Sequence, residues 1–273
     1  MSLDLPVEDL ARIEPFTCNG PAGLIALRLF DARPEREAGP VVVFFHGGGF
    51  ALGSVDTHAA LAASLARGLD LPVVSVEYRL APEHPFPAAV EDAEAATRWI
   101  AANGFALGLK PDGLVLAGDS AGGNLAIVTA LALRQRPAAL RAVLQLAIYP
   151  MTDESERRPS RDVFAEGFGL DATNMALFHQ HYGADSRDPR HSPLLADLDG
   201  LPPAVVVTAA LDPLRDEGRA YAAKLVTSGV DTLHIEAPGL IHGFASYRRA
   251  IPSAETEFER ALHLTCAMLR AAT

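Results

Sequence analysis

Apolar positions along this chain gather into two kinds of segment that alternate from one end to the other. Short continuous runs rich in branched side chains lie at residues 41–45, 73–76, 114–116, 142–146, 204–208 and 232–235. Runs without a polar alternation are what strands covered on both faces look like. Between them, residues 57–69, 88–103, 121–136, 216–228 and 253–270 space their apolar side chains at three and four, the stripe of a helix packed on one side. Strands alternating with helices predict an α/β fold with a mostly parallel central sheet and right-handed crossovers. An earlier apolar run at 24–30 reads as an antiparallel strand at the sheet edge.

One stretch breaks the rhythm. Between Pro150 and Ala204 no run of the core-strand type occurs. Asp171 is placed to N-cap a helix on which Met175, Phe178 and Tyr182 share a face. A connection this long inside a compact domain is usually a lid or another functional element.

Charge narrows the partners. The 273 residues carry 34 acidic and 23 basic side chains, a net charge of −11. Binding to nucleic acid or to an anionic membrane calls for a surplus of Lys and Arg, so neither is expected. No apolar run reaches the ~20 residues that span a bilayer. The first ten residues lack the basic start and apolar core of a secretory signal. Cys18 and Cys266 are the two cysteines, and they form neither a disulfide framework nor a C-x-x-C metal or redox pair. A cytoplasmic enzyme or receptor without a metal is the expectation.

Gly118-Asp119-Ser120-Ala121-Gly122 fits G-x-S-x-G, and its place gives it weight. It follows one expected strand and opens an expected helix, where a tight turn thrusts a serine hydroxyl out at the helix N-terminus. The serine needs a base. His242 follows the last strand run and should reach the same sheet edge. The base needs an anion to fix its tautomer, and Asp212, directly after the 204–208 strand, is placed for it. Asp216 and Glu217 open the next helix, where a carboxylate has an ordinary role with the helix dipole.

His46-Gly47-Gly48-Gly49-Phe50 follows the 41–45 strand. Three glycines let the backbone turn its amides toward a substrate. Gly48 and Gly49, with Ala121 after the serine, are the expected oxyanion donors, and His46 is expected to hold the loop. The remaining histidines read as surface or core residues, and His179 and His181 point to different sides of the expected helix, so they make a poor metal pair. Phe50, Leu52, Phe168, Met175, Phe178, Ile241 and Phe244 are the apolar candidates for a substrate pocket. A histidine base also predicts activity that falls as pH drops through about 6–7.

These stretches, with Tyr78-Arg79-Leu80-Ala81-Pro82-Glu83-His84-Pro85-Phe86-Pro87-Ala88, Asp212-Pro213-Leu214-Arg215-Asp216-Glu217 and His242-Gly243-Phe244, resemble the bacterial hormone-sensitive-lipase family (family IV) of α/β-hydrolases. The resemblance spans roughly residues 20–270. It implies an α/β-hydrolase sheet of about eight strands. It also implies hydrolysis of short-to-medium carboxylic esters through a serine acyl-enzyme, with no metal or cofactor. Residues 17–150 and 204–273 would form the catalytic domain, and 1–16 with 151–203 a helical cap. Relatives usually carry two cap helices before the first strand, whereas Met1 to Phe16 has room for one short helix, so a reduced cap and a more open acyl pocket are expected.

The same three side chains would serve an amidase, a lactonase or a deacetylase. A non-catalytic small-molecule receptor on this scaffold is the other class, and such receptors typically lack the histidine. A homodimer through the last strand or helix at the sheet edge follows from the resemblance, since an unpaired edge invites pairing.

Overall fold

A computed structural model describes residues 3–7 and 9–272. Eight strands among them form one sheet: β1 (Arg12–Gly20), β2 (Gly23–Asp31), β3 (Gly39–Phe45), β4 (Val73–Glu77), β5 (Pro111–Asp119), β6 (Ala142–Ile148), β7 (Ala204–Leu211) and β8 (Thr232–Ile241). Their order is β1-β2-β4-β3-β5-β6-β7-β8. The pairs β1–β2 and β2–β4 are antiparallel, and every later pair is parallel. The helices are α1 (Ala59–Leu69), α2 (Ala88–Ala102), α3 (Ala121–Gln135), α4 (Pro159–Val163), α5 (Ala172–Tyr182), α6 (Arg215–Thr227) and α7 (Pro252–Ala272).

The continuous apolar runs are explained by two cores, one on each side of the sheet. Val41, Val43 and Phe45 of β3 point into the core shared with α2, α3 and α6. Val42 and Phe44 point the other way, into the core shared with α1 and α7. Successive strand residues face opposite sides, so a strand covered twice has no polar position to spare.

Two expectations need correcting at the N-terminal end. The run at 24–30 is antiparallel as expected, but it is the second strand in, because β1 pairs along its whole length and takes the edge. Residues 12–16 accordingly belong to the sheet and not to a separate cap segment. No helix forms before Arg12 among the described residues; Met1, Ser2 and Glu8 lie outside them. The stretch is instead tied to the far end of the chain, where Asp4 receives the Arg248 guanidinium at 2.8 and 3.0 Å.

The expected helix after Asp171 is α5, and the Asp171 carboxylate accepts the Asn174 N–H over 2.7 Å. It lies in the excursion between β6 and β7, with the single turn-and-a-half of α4 before it.

The turn from β5 into α3 has no room for side chains at its flanking glycines. A Cβ on Gly122 would overlap the Phe45 carbonyl at the end of β3, and one on Gly118 would overlap the Gly122 carbonyl. The atoms in the way are backbone, which cannot rotate aside. Gly122→Ala is therefore expected to destabilise the fold by about 3 kcal/mol or more, read as a lower midpoint in chemical denaturation.

Candidate active site

Ser120 sits between β5 and α3 with φ 55° and ψ −118°, a conformation that costs a non-glycine residue about 1–3 kcal/mol. It is held there from both sides. Its N–H donates to the Ile148 carbonyl over 2.8 Å, and its carbonyl accepts the Asn124 and Met151 N–H groups over 3.1 and 3.3 Å. The hydroxyl consequently projects at the carboxyl edge of the sheet.

His242 is the first residue after β8, and Asp212 the first after β7. The three side chains meet. His242 Nδ1–H donates to Asp212 Oδ2 over 2.8 Å, and the other ring nitrogen, Nε2, lies 2.9 Å from Ser120 Oγ. Since an ionised carboxylate only accepts, Nδ1 carries the proton and Nε2 is left as acceptor for the serine hydroxyl. Asp212 is fully buried, and its second oxygen accepts the Leu214 N–H over 2.8 Å. Burial pushes the His242 ring toward a lower pKa, but the Asp212 charge and hydrogen bond outweigh it and raise the value above the ordinary one. The Tyr149 ring backs the imidazole at a centroid distance of 4.9 Å.

The glycine loop lies alongside. Gly48 and Gly49 take φ values of 124° and 61°, open to glycine alone at little cost. The Gly48, Gly49 and Ala121 residues line the same cavity as Ser120, and their N–H groups meet no acceptor among the described residues. Asp119 clamps the loop to the serine turn by accepting the Gly47 N–H over 2.8 Å. Burial pushes the Asp119 carboxyl up, but the neighbouring His58, 3.7 Å away, holds it below its usual value. His46 is structural, as expected. It is fully buried, its Nδ1 lies 2.8 Å from the Gly47 carbonyl, and its ring stacks on Tyr78 at 4.3 Å. Burial drives its pKa down to about 4.

The cavity above Ser120 has a volume of about 410 Å³. Of the apolar candidates, Phe50, Leu52, Met175 and Phe178 line it. Phe168, Ile241 and Phe244 are not among its lining residues. Phe168 packs edge-on against Phe164 at 4.9 Å, Phe244 is buried against Tyr149 at 5.3 Å, and Ile241 sits under Gly169. Phe244 turns into the core where the chain reverses at Gly243 with φ 77°, whereas Ile241, before that turn, is half-buried against the excursion. Sequence reasoning missed Leu170, Leu214 and Tyr247, and it missed the polar residues His58, Asp119, Glu154, His179 and His191 in the wall. Asp119 had a signal in its place beside the serine; Glu154, Leu170, His179 and His191 are brought in by the fold of the excursion, and His58, Leu214 and Tyr247 stand in loops around strand ends with no motif of their own. Among the described residues, no three His, Cys, Asp or Glu side chains gather as metal ligands would, and no helix is long and apolar enough to cross a membrane.

A family model described as alpha/beta hydrolase fold matches residues 42–246, from within the strand that leads into the glycine loop to just past His242. The chain belongs to that family. Similar proteins include esterase LipI of Mycobacterium tuberculosis, 39% identical over 94% of this chain and 82% of that protein. Carboxylic ester hydrolase LipN of the same organism is 45% identical over 82% of this chain, which spans 62% of that longer protein. The solved esterase of Pyrobaculum calidifontis superposes with a TM-score of 0.90 at 41% identity, covering 97% of this chain and 86% of its own. The resemblance to bacterial hormone-sensitive lipases drawn from the motifs is borne out by these α/β-hydrolase relatives.

The His242 imidazole signals are expected to titrate in NMR with a midpoint above the ordinary value of about 6.5. In Asp212→Asn the raising charge is gone while burial remains, so the midpoint should fall well below that of the unmodified protein.

Proposed function

We propose that this protein hydrolyses small carboxylic esters, of short-to-medium acyl chain, through an acyl-enzyme on Ser120. His242 Nε2 takes the hydroxyl proton as Oγ attacks the ester carbonyl, and Asp212 stabilises the imidazolium that forms. The Gly48, Gly49 and Ala121 amides receive the developing oxyanion, where each donor is worth about 3–4 kcal/mol of barrier. His242 then protonates the departing alcohol, and water repeats the sequence on the acyl-enzyme. The observation that carries this reading is the unbroken chain Asp212–His242–Ser120, with contacts of 2.8 and 2.9 Å, beside amides that meet no acceptor among the described residues. Its likeness to proteins named as esterases supports the choice of ester over other acyl groups.

The excursion at 151–203 is the cap in this reading. Phe178 of α5 lies so close to Gly49 that a side chain there would collide with its ring. A cavity of about 410 Å³ suits a small substrate. The acid excess and the free thiols of Cys18 and Cys266 support a cytoplasmic enzyme that does not act on nucleic acid. Strand β8, at the sheet edge, offers pairing to a second copy. A receptor without turnover has no use for a base aligned on the serine. Amide or lactone cleavage would need the same groups, and matched ester and amide substrates separate them.

Ser120→Ala is expected to lose on the order of 10³-fold or more in turnover of p-nitrophenyl esters, with the fold kept. A fluorophosphonate should label Ser120 in the unmodified protein and nothing in the variant. Because His242 accepts a proton only when neutral, and its pKa is raised, kcat/KM should already decline as pH falls through a value above about 6.5. That places the acid limb higher than an unperturbed imidazole would.

A further inference from the structure

The cavity is apolar over most of its wall, and besides the polar groups near Ser120 it has a polar end in the excursion, where the His179 and His191 rings lie 5.9 Å apart and both act on the Glu154 carboxylate. That end is built, not incidental. Arg161 of α4 grips Glu154 with two contacts of 2.8 Å, and the same guanidinium reaches the buried Glu217 over 2.8 Å. The His191 carbonyl accepts from the Asn124 side chain over 2.8 Å, and Asn124 belongs to the turn of α3 that follows Ser120. Ser192 accepts the Glu154 N–H over 2.9 Å, joining the two segments. The polar end is therefore fixed relative to the nucleophile through a few hydrogen bonds.

His191 itself is 3% exposed, and neither ring nitrogen has a protein partner among the described residues. A buried polar group without a partner is costly. Burial pushes its pKa down to about 4, so at neutral pH the ring is uncharged and offers one N–H and one lone pair. Glu154 offers lone pairs only.

We propose that this end of the cavity is a subsite for a hydroxyl carried by the ester substrate, with Glu154 accepting its proton in a hydrogen bond and His191 completing the pair. The proposal rests on the ester reading above. A hydroxyl both gives and accepts, matching both side chains. A carboxylate would meet the charge of Glu154, an ammonium would leave the imidazole N–H without an acceptor, and an alkyl end would leave the ring as unpaired as before.

The test compares kcat/KM for two matched pairs: p-nitrophenyl octanoate with its ω-hydroxy counterpart, and hexyl acetate with its ω-hydroxy counterpart. The first pair places the hydroxyl on the acyl side and the second on the alcohol side. In one of the two series, the ratio of hydroxylated to plain ester should fall roughly tenfold in His191→Leu, the factor one buried neutral hydrogen bond supplies. His191→Gln, which can still give and accept, should recover part of it. Ratios that are the same in all three proteins in both series overturn the subsite. If the unmodified protein hydrolyses neither member of either pair and Ser120 takes no fluorophosphonate, the ester reading fails by itself. The subsite is then decided by calorimetric titration of octanediol against octanol: preference for the diol that His191→Leu abolishes supports it, and equal preference in both proteins overturns it.

Discussion

The site depends on a contact between two pieces of bare backbone. Gly122, in the first turn of α3, lies against the Phe45 carbonyl at the end of β3, with no space for a methyl group between them. That contact brings the exit of β5, which carries the serine, against the exit of β3, which carries the glycine loop. The hydrogen bond from the Gly47 N–H to Asp119 closes the same gap a second time, over 2.8 Å. Reacting groups lose rate steeply when displaced by an ångström. Side chains at these positions would push the glycine loop and Ser120, the donors and nucleophile of the proposed reaction, apart by about that much, so the glycines set a distance as well as a conformation.

Around this contact, every deeply buried charge has been given a partner close by. Asp212 has His242, Asp119 has His58, and Glu217 has Arg161. The last of these reaches furthest. Burial still leaves Glu217 raised to about 7, yet its other oxygen, Oε1, also accepts the Thr152 and Asp153 N–H groups over 2.8 and 3.3 Å. Ser160 beside Arg161 donates to the Pro213 carbonyl over 2.7 Å, and its N–H donates to Asp216 over 2.9 Å. The excursion is thus clamped at α4 to the very loop that follows Asp212. Breaking a buried pair of this kind leaves an uncompensated charge, which is why such pairs hold position more strictly than apolar contacts do.

What could be read from the sequence was what the backbone itself requires. The apolar runs of β3 and β7 admit one explanation, burial on both faces, and the glycines at 118 and 122 admit one kind of turn. The order Ser120, Asp212, His242 along strand ends follows from those strands, and the contacts among them agree with it. Strand β1 escaped because its inward positions include Arg12 and Glu14, its outward ones include Ile13, and Pro15 interrupts it. Such a pattern is tolerated at an edge, where one side of the ladder is free. Phe168, Ile241 and Phe244 were misplaced for a different reason. Apolar residues near a functional side chain are as fit for core as for cavity, and the turn at Gly243 sends Phe244 inward.

The polar end of the cavity was invisible in the sequence because its residues are brought together by the excursion and by no local pattern. Glu154 and His191 are separated by α4 and α5, and they converge through Arg161, Ser192 and Asn124. This divides the molecule by the kind of constraint each part obeys. At the sheet edge, reaction geometry is tied to backbone contacts that few substitutions can satisfy. In α5, Tyr182 alone is buried, its ring stacked on Phe50 at 4.0 Å, so the helix rests on few contacts. Few buried contacts mean that its inward residues can change at low cost to stability. On the proposed mechanism the chemistry is therefore written in the strands and glycines, and the shape and polarity of the cavity are written in the excursion, where a change alters the wall without disturbing the contacts among Ser120, Asp212 and His242.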